Sequence, residues 1–161
     1  MITYEKLLEI AEKEDVDVND EYEFSDRLKG LYCDGNIAIK KDLMVREKKC
    51  IMAEELGHHF TAEGNILDQR NIINRKLERR GKIYAYDLLV GLEGLITCFK
   101  EGTTNVYEMA ESLDVTEDIV KEALAYYTGK YGIGVRCGCY YIQFIPYLAV
   151  VKDMEDNETK Q

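Results

Sequence analysis

Apolar positions recur along this chain in two rhythms. Tyr4, Leu7, Leu8 and Ala11 fall at i, i+3, i+4 and i+7, the period of an amphipathic helix, and Thr3 stands where an N-cap hydroxyl belongs. Residues 14–29 are acidic and carry no clear period, so they read as irregular. Leu31-Tyr32-Cys33 and Asn36-Ile37-Ala38-Ile39-Lys40 then flank Asp34-Gly35. An Asp-Gly pair between short apolar runs predicts a β-hairpin, because it tolerates the positive φ of a tight turn. From about Leu43 to Thr61 the pattern is helical again, and Gly64-Asn65 breaks it. A second long helix is predicted from about Asp68 to Val90, with Ile73, Leu77, Tyr84 and Leu88 on its apolar face. Gly91–Gly94 reads as a linker before a short helix ending at Phe99.

Gly102-Thr103-Thr104 is the clearest boundary. Beyond it, Val106–Ser112 and Thr116–Tyr127 predict two short helices about a Leu113-Asp114-Val115 turn. Gly132–Tyr147 alternates like strands around Gly138, with Pro146 ending the second strand. Helix-turn-helix followed by a hairpin outlines a winged-helix-like module. The expected organisation is a main domain over 1–100, this module over 101–152 and an acidic flexible tail over 153–161.

Composition narrows the class. The chain has 161 residues, 46% apolar and 32% charged, which suits one globular core with a small appendage. No apolar run approaches the roughly 20 residues of a membrane span, and Met1-Ile2-Thr3-Tyr4-Glu5 has no basic-then-apolar signal pattern, so no membrane partner and a cytoplasmic location are expected. The five cysteines read as reduced thiols, and Cys137-Gly138-Cys139 as two thiols flanking a hairpin glycine.

The net charge of −10 argues against a protein that coats nucleic acid. The imbalance is uneven: residues 40–49 hold five basic side chains against two acidic, and residues 70–82 hold six against one. These islands are electropositive faces or ordinary solvated helix sides, and the second could draw an acidic stretch of a substrate toward a neighbouring cleft. A DNA-reading helix needs positive charge, and Thr116–Tyr127 offers Lys121 against Glu117, Asp118 and Glu122. Direct DNA binding is therefore not expected, and packing or partner docking is. Twelve tyrosines, concentrated in the C-terminal third, suit either a small core or a contact surface, and the core is preferred.

Candidate chemistry centres on the chain's two histidines, adjacent in Ala53-Glu54-Glu55-Leu56-Gly57-His58-His59-Phe60. This is one step from H-E-x-x-H, in which ligands one helical turn apart hold zinc and the intervening glutamate is the base. Glu55 and His58 match that motif, and Glu54 stands in the place of its first histidine. At about 100° per residue, Val45, Met52, Leu56 and Phe60 cluster on one side of the helix, with His59 at the edge of that stripe. Glu54 and His58 point the other way, so this pair is preferred to Glu55/His59 as ligands facing a cleft. Cys50, one to two turns earlier, is either near the site or packing.

The residues Gly30-Leu31-Tyr32, Asn36–Lys40, Ala53–Thr61, Gly64-Asn65-Ile66-Leu67-Asp68, Asn74–Glu78 and Tyr84-Ala85-Tyr86 resemble the ImmA/IrrE family of zinc-type metallopeptidases, most closely its short phage and mobile-element members. Tyr107-Glu108-Met109-Ala110 through Tyr131-Gly132 resembles the same subgroup. The resemblance implies an α+β zincin-like core, built from a small sheet, a motif helix and a ligand helix, with the winged-helix-like module after it. It implies a metal-dependent endopeptidase that cleaves a helix-turn-helix transcriptional repressor, with Glu54, His58 and Glu78 as metal ligands and Glu55 as the catalytic base. Asp87 is the reserve ligand. Glu78 lies on a stripe with Gly81, Lys82, Ala85 and Leu89, whose small members would let the two helices approach closely. The departure from the family pattern is Glu54. A Glu/His/Glu shell nearly neutralises Zn²⁺ and admits Mn²⁺ or Fe²⁺ through its oxygen donors, and it leaves room for a catalytically degenerate relative that binds its repressor without cutting it.

Overall fold

The structure is a computed structural model and describes residues 1–25, 27–61 and 71–153. The Gly64-Asn65 break, the expected helix start at Asp68, the Ile73 side chain and the tail from residue 154 onward lie outside it.

Helix α1 (Tyr4–Lys13) begins where the Thr3 hydroxyl accepts the Lys6 N–H at 3.2 Å, and buries Tyr4, Leu7 and Ala11. Strands β2 (Gly30–Cys33) and β3 (Asn36–Lys40) form the expected antiparallel hairpin. Its turn needs two consecutive residues with positive φ, supplied by Asp34 at 46° and Gly35 at 78°. Residues 14–29 depart from expectation: Asp17–Tyr22 form β1, parallel to β3, so the sheet order is β1-β3-β2. Its composition hides it. Only Val18 in Asp-Val-Asn-Asp-Glu-Tyr is an aliphatic residue turned inward, and the strand is held by its ladder to β3 rather than by an apolar alternation.

Helix α2 (Val45–Thr61) packs Met52, Ala53 and Leu56 against Ile37 and Ile39 of β3. The predicted apolar stripe is half right. Val45 is 62% exposed and Phe60 40% exposed, while Met52 and Leu56 are fully buried. The inward face of the early turns is taken instead by lysines. Lys49 is 1% exposed, and its ammonium reaches the carbonyls of Ile2 and Leu113, each at 3.2 Å, and Asp114 at 3.4 Å. Lys48 donates to the Asp20 carbonyl at 2.6 Å, and Arg46 pairs with Glu111 and Asp114. The part of the first basic island that lies on α2 is thus consumed internally. Long apolar stems lie in the core while their charged ends find carbonyls and carboxylates.

Helix α3 (Asn71–Leu89) runs along α2, and the contact is glycine on glycine. A methyl group on Gly57 would stand 2.5 Å from the Gly81 carbonyl oxygen, so only a bare backbone admits this approach. The expected linker is absent, because α4 (Gly91–Lys100) starts at Gly91 itself, whose φ of 61° makes the corner.

Helices α5 (Val106–Leu113) and α6 (Glu117–Tyr131) follow, capped by Asn105 accepting from Glu108 and Thr116 accepting from Ile119. Asp114 turns between them in the left-handed region. Helix α6 runs one turn past its expected end at Tyr127 to Gly132, which has positive φ. Strands β4 (Gly134–Cys137) and β5 (Tyr140–Gln143) hinge at Gly138, and an unexpected β6 (Ala149–Lys152) extends the sheet in the order β4-β5-β6. Tyr127 is fully buried near Tyr131 and Phe144, which places it in the core, whereas Tyr107 and Tyr147 are exposed. The fold is α+β, a mixed three-stranded sheet against α2 and α3 followed by a helix-turn-helix and a second small sheet. No described helix is long and apolar enough to cross a membrane.

Candidate metal centre

Glu54 and His58 lie one turn apart on α2, so their side chains leave the helix on the same side. Across the Gly57/Gly81 contact, α3 brings Glu78 to meet them. One donor atom from each of Glu54, His58 and Glu78 lies within 4.8 Å of the others, and among the described residues this is the one such cluster. His58 Nε2 and Glu78 Oε1 are 3.6 Å apart. Donors about 2.1 Å from a tetrahedral ion sit about 3.4 Å from one another, so this spacing already suits a cation. Gly81 makes room for the ring: a methyl group there would meet the His58 imidazole at 2.6–3.1 Å.

Glu55 points to the inner wall. It is 7% exposed, beneath Gly30 of β2, where a methyl group would come within 2.9 Å of its carboxylate. Burial pushes its pKa up, the charges of Glu54 and Glu78 add to this, and the Tyr32 backbone N–H, which faces the carboxylate, opposes it; the result is about 8. The pKa of Glu54 is also raised, first by burial and then by Glu78 and Glu122, with Lys82 working against them. Burial lowers the pKa of His58, partly offset by Glu78, so its imidazole is neutral near pH 7 with a free lone pair. Carboxylates crowded around a neutral imidazole are a poor arrangement for an empty cavity and a good one for a divalent cation.

These residues line a cleft of about 510 Å³, closed on one side by Leu28 to Tyr32 and floored by Ile51 and Leu77. Strand β2 is the sheet's outer strand here, with β3 on its other side.

Two neighbours of the cluster are His59, the alternative ligand paired with Glu55, and Tyr32. His59 was expected at the edge of the apolar stripe; its Nδ1 shares a hydrogen bond with the Tyr32 hydroxyl at 3.0 Å, and its Nε2 lies 3.7 Å from Glu14. It ties α2 to β2 and does not join the cluster. Tyr32 carried a signal, as an aromatic just before the Asp-Gly turn, but its partner lies 27 residues away. Asp87, the reserve ligand, is elsewhere, accepting the Tyr127 hydroxyl at 3.0 Å. Cys50 is buried packing, where it accepts a hydrogen bond from the Thr116 hydroxyl.

No curated protein and no solved structure matches the chain. A family model, the Peptidase_M78 IrrE N-terminal-like domain, matches residues 10–125, from α1 through most of α6. With nearly three-quarters of its length inside that match, and the carboxylate–imidazole cluster at its centre, the chain belongs to the IrrE N-terminal-like family of metallopeptidases.

Proposed function

We propose that this chain is a metal-dependent endopeptidase whose substrate is a helix-turn-helix repressor of a phage or mobile element. The observation that carries the peptidase reading is the convergence of Glu54, His58 and Glu78 beside a buried Glu55 in an open cleft. The repressor follows from the resemblance to the short phage-type members.

Glu54, His58 and Glu78 would hold the cation, with Zn²⁺ first and Mn²⁺ or Fe²⁺ admitted by two oxygen donors. When bound, such an ion supplies Lewis acidity, polarising a peptide carbonyl and making water easier to deprotonate. Glu55 supplies the base. Its carboxylate, buried beneath Gly30 at the wall of the cleft, takes the proton of the attacking water and returns it to the leaving amine. The Tyr32 N–H steadies that carboxylate, and the His59–Tyr32 bond steadies the strand that carries it. The exposed edge of β2 offers peptide groups along which an extended substrate can lie as an added strand.

Glu54 favours a second reading. A carboxylate in place of a histidine leaves the bound ion nearly neutral and less acidic, which suits a module that binds the repressor without cutting it. Metal analysis of the purified chain, followed by incubation of a candidate repressor with wild type and with Glu55→Gln, separates the two. Cleavage by wild type alone supports the peptidase. Identical behaviour of both proteins sinks it, and stable binding without cleavage by either is the outcome of the second reading.

A further inference from the structure

We propose that the groove between α3 and α6 is an exosite that binds an acidic, tyrosine- or leucine-bearing segment of the peptide substrate. The proposal rests on the peptidase reading for the identity of its ligand. The groove, of about 910 Å³, is walled by Arg75, Arg79 and Lys82 of α3 and by Tyr126 and Glu122 of α6. It opens beside the metal centre, because Glu78 lines both the cleft and the groove.

The α3 wall of the groove is cationic. None of Arg75, Arg79 and Lys82 forms an ion pair with a described residue, in contrast to Arg46, Lys48 and Lys49 of the other basic island. The two acidic groups in the groove are engaged: Glu122 accepts the Tyr86 hydroxyl at 2.8 Å, and Glu78 faces His58. Arg75, Arg79 and Lys82 lie one turn apart on one helix face, so like charges repel until an anion lies between them. In a chain of net charge −10, this strip of cations, without an ion-pair partner among the described residues, attracts the opposite sign from the rest of the surface.

The floor of the groove is aromatic. The Tyr86 and Tyr126 rings sit 5.8 Å apart, and the Lys130 ammonium lies 5.7 Å from the centre of the Tyr126 ring. An aromatic base with cations at its edge fits a segment that alternates carboxylates with an apolar side chain. A peptide also fits better than a nucleic acid. Its carboxylates can be spaced to meet the arginines, whereas a continuous phosphate backbone would have to pass Glu78 and Glu122.

The test is fluorescence anisotropy on the full chain in chelator, with a fluorescein-labelled peptide of alternating glutamate and serine about a single tyrosine. Binding is expected to weaken by at least about tenfold in Arg75→Glu/Arg79→Glu and to fall with added salt. Lys76→Glu/Arg80→Glu carries the same charge change on exposed positions of α3 outside the groove, and should shift binding by less than about twofold. Equal loss in both double variants, equal binding of a glutamine-for-glutamate peptide, or no binding at all overturns the proposal. So does a single-stranded oligothymidine that displaces the peptide in an Arg75/Arg79-dependent way. Glu55→Gln should bind the peptide as wild type does. Failure of the peptidase reading therefore shows in the cleavage comparison, and failure of the exosite shows here.

Discussion

Gly81 lies directly against the imidazole of His58: a β-carbon at position 81 would stand 2.6 Å from Cε1 and 2.7 Å from Nδ1. The obstacle is a side chain rather than backbone, so a methyl group would push the ring aside more readily than it would part the helices. Gly81→Ala is expected to keep the fold and lower divalent-metal affinity by tenfold or more, about 1.4 kcal/mol. Metal-binding calorimetry beside a thermal melt checks this. A melt that falls sharply with metal affinity unchanged would show that the contact serves the helix interface instead.

As a proposed ligand, Glu54 sets which ion the site is expected to prefer. Glu54→His removes a half-buried carboxylate whose pKa burial has raised, and adds a second imidazole. The variant should favour Zn²⁺ over Mn²⁺ by at least about tenfold relative to wild type, because imidazole suits zinc and carboxylate suits harder ions. Competition between the two ions, read by elemental analysis after desalting, gives the ratio.

Glu55 makes the metal-free protein sensitive to pH. Its native pKa of about 8 stands above the ordinary glutamate value of 4.5. Below pH 4.5 both folded and unfolded chains hold the proton, and there is no penalty. Between pH 4.5 and 8 the unfolded chain releases the proton while the folded one keeps it, so stability falls as pH rises. Glu55→Gln removes the titration. In chelator its stability advantage over wild type should grow from near zero at pH 4.5 to at least about 1 kcal/mol at pH 8. Parallel denaturant titrations across that range measure the difference, and an advantage that does not change with pH would contradict it.

Lys49 joins the N-terminus, α2 and the α5–α6 turn through Ile2, Leu113 and Asp114. Lys49→Ala takes the donor from the buried Leu113 carbonyl and the half-buried Ile2 carbonyl, which should cost roughly 2 kcal/mol or more. Since the ammonium does not touch the metal cluster, metal affinity should hold while the melting temperature falls. Loss of both would mean that α2 shifts as a unit when this anchor is cut.

Much of the architecture was legible because local chemistry specifies it. Thr3 caps the helix it precedes, and Asp34-Gly35 and Gly138 make the two hairpins. What escaped has a common cause. Strand β1 is polar and depends on β3 for its existence, and the buried lysines of α2 look like a solvated face until their carbonyl partners arrive from Ile2, Asp20 and Leu113.

The order of residues in the chain determines that Glu54, Glu55 and His58 share one helix and which way each faces, because helical periodicity is local. It also puts glycines at 57 and 81 and an acid at 78. That the two glycines meet and that Glu78 rather than Asp87 arrives at His58 were decided by packing. These are contacts between residues far apart along the chain, and which of them form depends on how α2, α3 and α6 fill space together.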